Sequence, residues 1–224
     1  MKLLHLALPV AITLLLTTAA HAQFGVTAGV TTATITDKSG RTDRTAAATE
    51  HLGYQLGVFY EHKLNTRFSL RPGLQFSRQN TGLSVDDRSV ADGSYKADYR
   101  LRRSYLDLPV LVQVNFGRFY LEAGPQGSLL LFAHEKGNES VGSIVGTYNS
   151  DFERPATDRY ERFDVALCAG LGVKLPAGFG LGLRASTGLL YLRQEFGSYG
   201  GGYHGSLRNQ AVQASVSYQL QPRS

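Results

Sequence analysis

The chain has 224 residues, a formal charge of +5, 25 glycines, 12 tyrosines, no tryptophan and one cysteine. That length suits a single antiparallel barrel without division into domains, and the lone Cys168 excludes an intramolecular disulfide. Basic residues are interspersed with acidic ones, which excludes the concentrated basic face that nucleic acid requires.

Residues 1–22, MKLLHLALPVAITLLLTTAAHA, place Lys2 before an apolar run that ends at Leu16, with Ala20 and Ala22 in A-x-A spacing. This predicts a cleaved secretory signal, leaving 23–224 as one domain. The apolar run is shorter than the ~20 residues a spanning helix needs, and no such run follows it.

From Phe24 the chain alternates. Phe24, Val26, Ala28 and Val30 face one way and Gly25, Thr27 and Gly29 the other, the period of a strand with two unlike faces. After a polar stretch over 36–51 the pattern returns with Leu52, Tyr54, Leu56, Val58 and Tyr60, then after a short turn with Phe68, Leu70, Pro72, Leu74 and Phe76. A polar insertion over 78–103 follows. Leu106 to Phe116 and Phe119 to Leu131 form two strands about the turn Gly117-Arg118. A third polar loop, 134–159, leads to strands around Phe163 to Val173 and Phe179 to Leu189, which are joined at Pro176-Ala177-Gly178. A glycine-rich loop over 195–207 precedes the last strand, Val212 to Leu220. The total is about eight strands with connections that alternate long and short.

Alternation alone fits either a soluble barrel with an apolar interior or a membrane barrel with an apolar exterior. The strictly alternating connections match extracellular loops and periplasmic turns, and charged residues within the strands all take the parity opposite the apolar one. Leu106 to Phe116 would rise about 36 Å along the strand, enough at the usual tilt to cross a lipid band of about 25 Å. Tyr60, Phe68, Phe116, Phe119, Phe179 and Tyr218 fall near the short turns, where an aromatic girdle belongs. The expected fold is therefore all-β: a transmembrane antiparallel up-and-down barrel of about eight strands in the bacterial outer membrane, behind a cleaved signal peptide.

YLDLPVLVQVNF with FYLEAGPQGSLLL, the FDVALCAGLGVKLPAGFGLGLRASTGL hairpin and the closing NQAVQASVSYQL together resemble the PorT-like outer-membrane β-barrel proteins of Bacteroidota. The resemblance implies an envelope role as an accessory of protein secretion, in which the group's namesake takes part. One departure is visible. Such barrels commonly end on an aromatic residue, whereas this chain continues past Tyr218 and Leu220 to Gln221-Pro222-Arg223-Ser224.

Glu61, Arg71, Glu122 and Arg184 lie on the polar parity a few residues above the short turns and are expected to form an ion-paired lumen network. Asp107 and Asp164 lie nearer the outer mouth, within expected reach of Arg100, Arg102 and Arg103. Those three arginines are also candidates for lipopolysaccharide phosphates, since guanidinium binds phosphate bidentately; the plainer reading is solvated rim charge. His204-Gly205-Ser206 resembles the H-x-S pair of lipid A deacylases, the alternative being a lipid A-modifying outer-membrane hydrolase. No Asp or Glu follows Glu195 to orient the histidine. His51, His62 and His134 lack metal-ligand spacing, and Asp86-Asp87 with Asp92-Gly93 lacks a full calcium ladder. The resulting expectation is a non-enzymatic barrel without cofactor or metal. Its partners would be outer-membrane lipid and lipopolysaccharide, with secretion or envelope proteins met through extracellular loops.

Overall fold

The computed structural model describes residues 22–37, 44–87, 93–143, 146–190 and 207–220. Residues 1–21 of the expected 1–22 signal, the His204 and Ser206 pair and the tail after Leu220 lie outside these residues.

Nine strands are present among the described residues: β1 Ala22–Asp37, β2 Arg44–Lys63, β3 Phe68–Asp87, β4 Gly93–Phe116, β5 Phe119–Ser143, β6 Gly146–Pro155, β7 Phe163–Lys174, β8 Phe179–Gly188 and β9 Leu207–Gln219. Eight of them close a ring. The sheet runs β4-β3-β2-β1-β9-β8-β7-β5, and β4 pairs with β5 to complete it. First and last strands meet from Gly25↔Gln219 to Asp37↔Leu207. The ninth strand, β6, pairs only with the upper half of β5 among the described residues, from His134↔Pro155 to Ser143↔Gly146.

The parity is that of a barrel turned inside out. Phe24, Leu56, Val110, Leu121, Leu171, Leu183 and Val216 are exposed on the wall, while Gln55, Arg71, Asp107, Gln113, Glu122 and Gln213 are buried in the lumen. A one-residue slip in any strand would exchange the two sets, so this outer apolar belt fixes the register. At the lower rim the turns are tight. Gly117 takes φ 65, and Ala177 and Gly178 take φ 60 and 83, the left-handed region that short turns need. Asn65 accepts from the backbone N–H groups of Arg67 and Phe68 at 2.9 and 2.8 Å, which locks the β2–β3 turn.

The polar stretches read from sequence as loops are largely strand. β2 starts at Arg44, β3 continues to Asp87, and β4 and β5 span 24 and 25 residues, against the ~9–11 a membrane crossing needs. Above the lipid both sheet faces meet water or protein, so the alternation that betrays a strand inside lipid fades while the ladder continues. β4 and β5 stay paired as far as Gly93↔Ser143.

Candidate functional site

Two assemblies of charged side chains stand out, one plugging the lumen and one capping it. The plug is centred on Glu122 of β5. Its Oε1 accepts from Arg184 Nε at 2.8 Å and Nη2 at 2.7 Å, its Oε2 accepts from Gln113 Nε2 at 2.9 Å, and Arg71 Nη1 stands 3.8 Å away. Arg71 also lies over the Phe59 ring, 3.6 Å from its centroid. Arg71, Glu122 and Arg184 are therefore brought together. Glu61 takes a lower position, where it accepts from Lys174 Nζ at 2.8 Å and Gln219 Nε2 at 3.1 Å. Lys174, the last residue of β7, is a member of the network beyond the four expected from sequence.

The plug is tight. The space left among Phe59, Arg71, Tyr120, Glu122 and Arg184 is about 20 Å³, which is room for about one water. Beneath it a vestibule of about 470 Å³ opens toward the lower rim, lined by Glu61, Arg71, Tyr120, Lys174 and Gln219. Above it, Gln75 Nε2 donates to Gln55 Oε1 at 2.6 Å, Ser77 Oγ to Asp107 Oδ2 at 2.6 Å, and Cys168 Sγ to Gln126 Oε1 at 3.4 Å. A chain of paired polar groups thus fills the barrel, and Cys168 is an internal thiol within it.

Arg103 corrects the rim expectation. It is fully buried, donating from Nη1 to the Tyr105 hydroxyl at 3.1 Å and from Nη2 to Asn209 Oδ1 at 3.2 Å. It therefore cannot reach lipopolysaccharide. Arg100 and Arg102 are exposed on the opposite parity, outside the barrel, so they do not meet the buried Asp107 and Asp164. The one-residue step between Arg102 and Arg103 puts them on opposite faces of the same strand.

The cap lies above the lumen. Tyr99, Leu101, Tyr105, Leu130, Ala133, Ala156 and Tyr160 form an apolar cluster, with Phe152 of β6 packed on it. Glu135 is buried at its edge. Its Oε1 accepts from the Tyr160 hydroxyl at 2.9 Å and its Oε2 from Arg154 Nε at 3.1 Å, with Arg159 Nη1 at 3.7 Å. Burial, with Tyr99 and Glu135 alongside, pushes the Tyr160 phenol well above its ordinary range. Within the polar run 134–159 the described residues thus continue β5 to Ser143, return as β6 and end in a single 3-10 turn, Thr157–Arg159, beside the cluster. On the solvent side of β6, Glu153 accepts from Lys136 Nζ at 2.8 Å and contacts His134 Nε2 at 3.2 Å. Nearer the tip, Val141 and Tyr148 are cross-strand partners, 45% and 71% exposed.

No group of three or more potential metal-ligating side chains occurs among the described residues. Residues 18–192 match the family model described as outer membrane protein beta-barrel domain. No curated protein sequence matches the chain. Among solved structures the chain is similar to Ail, the attachment invasion locus protein of Yersinia pestis, solved with the heparin analogue sucrose octasulfate, at 13% identity over 89% of this chain and 99% of that one, TM-score 0.43. It is also similar to Neisserial surface protein A, at 12% identity over 89% and 99%, TM-score 0.45, and to OprG from Pseudomonas aeruginosa, at 12% over 89% and 96%, TM-score 0.43.

Proposed function

The chain belongs to the outer membrane protein beta-barrel domain family and resides in the outer membrane, and from that premise we propose that it is a closed, non-enzymatic barrel that holds a rigid extracellular sheet for a partner protein. The observation that carries this reading is the hairpin of β5 and β6, which rises far above the lipid and bears the exposed Val141 and Tyr148 pair near its tip. Apolar side chains held out in water on a rigid element favour a contact with another protein. The filled lumen supports the closed state, because Glu122, Glu61 and Asp107 are committed to arginine, lysine and hydroxyl partners rather than lining a path.

The partner class we favour is an envelope or secretion component, in line with the PorT-like resemblance. A photo-crosslinking residue at Tyr148 in cells is expected to capture a discrete envelope protein, and the same residue at Leu121 in the lipid belt is not. Equal labelling at both positions, together with unchanged secreted proteins in a deletion strain, would overturn the reading. The hydrolase alternative rests on His204 and Ser206. Replacing both with alanine is expected to leave lipid A acylation, followed by mass spectrometry, unaltered.

A further inference from the structure

Arg78, Arg100 and Arg102 share the outer wall just above the lipid belt. Ser77 and Gln79, Leu101 and Arg103 are all buried in the lumen, so the residues between and beside them on β3 and β4 point outward. The register sets Arg78 opposite Ser104 and Asn80 opposite Arg102. Arg78 and Arg102 are thus diagonal cross-strand neighbours about 7–8 Å apart, and Arg100 is two residues further along β4.

Their height is set by their neighbours. Tyr54 on β2 pairs with Arg78, and Phe132 on β5 pairs with Ser104. Both aromatic side chains are exposed on the wall, and Tyr54 stacks obliquely on Phe76 with ring centroids 6.3 Å apart. An aromatic row of this kind marks the boundary between acyl chains and headgroups. The three guanidiniums therefore stand in the headgroup layer of the outer leaflet.

Among the described residues they are also without carboxylate partners. Among the described residues every arginine of the plug and of the Glu135 cluster is ion-paired, whereas Arg78, Arg100 and Arg102 have no ion pair or side-chain hydrogen bond. Of the neighbouring carboxylates, Asp98 lies two residues from Arg100 on the same face of β4 without an ion pair to it, and Glu153 is occupied by Lys136 and His134. Three forked, unpaired cations at headgroup height are complementary to phosphate monoesters.

We propose that Arg78, Arg100 and Arg102 form a binding site for the phosphates of an outer-leaflet glycolipid of the lipid A type, seated against Tyr54 and Phe132. The inference rests on the outer-membrane location and is independent of any partner at the β5–β6 tip.

The test uses the full barrel in phosphatidylcholine vesicles, with bisphosphorylated lipid A as the probe and native mass spectrometry as the readout. The wild-type protein is expected to retain lipid A, and R78Q/R100Q/R102Q to bind it at least about tenfold more weakly. Dephosphorylated lipid A should bind no better to the wild type than to the triple variant. Arg118→Gln, at the opposite rim, is the control and should bind as the wild type does. Equal binding by the triple variant and the wild type would overturn the site. So would arginine-dependent retention of a soluble sulfated polysaccharide in lipid A-free vesicles at matching affinity, which would assign the patch to a polyanion outside the membrane. Retained heat-modifiable mobility of the triple variant shows that it has folded.

Discussion

Gly25 of β1 lies directly across from Phe59 of β2, and a Cβ placed on it would enter the Phe59 ring. That vacancy lets the aromatic side chain lie flat inside the barrel, where Arg71 stacks on it and is aimed toward Glu122. A glycine on one strand thus positions a cation on a third.

Gly25→Leu is accordingly expected to destabilise the barrel by about 1–3 kcal/mol through overpacking. Gly25→Leu combined with Phe59→Ala should recover part of that loss. Urea unfolding in vesicles checks both, and no difference between the single and double variants would count against the packing argument.

The plug makes a second expectation. Glu122→Ala leaves the Arg184 and Arg71 guanidiniums without their shared carboxylate in a nearly dry space, a loss of about 3–5 kcal/mol. Adding Arg184→Ala should cost less than the sum of the single changes, since it removes one orphaned charge. A double-mutant cycle on unfolding free energies measures the coupling.

The outer wall and the extracellular hairpin should differ sharply in tolerance. Val110, exposed midway along the lipid-facing part of β4, is expected to cost about 2–4 kcal/mol on change to arginine. Tyr148→Arg, in water, should stay within about 0.5 kcal/mol. Comparing midpoints of folding into vesicles distinguishes the two environments.

Glu153 supplies a pH dependence outside the membrane. The hydrogen bonds from Lys136 and then His134 hold its carboxyl below the ordinary carboxylate range. A group lowered on folding contributes stability at pH values above its unfolded pKa and loses it as pH falls through the folded value. Hydrogen exchange of the β6 amides is therefore expected to quicken as pH falls below the ordinary carboxylate range, after correction for intrinsic rates, and Glu153→Gln should remove that step.

Much of this architecture can be read from residues alone where lipid imposes the pattern. Leu106 to Phe116 alternates because one face meets acyl chains and the other a polar lumen, and Arg71, Glu122 and Arg184 converge because they share that inner face. The pattern gives out where lipid ends. Tyr99, Leu101, Leu130 and Tyr160 bury inward near the outer mouth, while Arg100 and Arg102 are exposed on the outer face. An apolar interior with a polar exterior is the reverse of the code a few residues below, so a reader following one parity sees only a polar loop. Arg103 departs from the expectation for a related reason: which face of a strand a residue takes depends on a register that a polar run does not display.

The pairing of β1 with β9 joins residues from the two ends of the ring, Gly25 to Gln219 and onward to Asp37 with Leu207. Until β9 is made, β1 has an exposed row of backbone donors and acceptors that hydrocarbon cannot satisfy. The chain therefore has no half-built form that lipid will accept. Closure waits on a contact between the two ends of the ring, the kind of long-range pairing that forms slowly.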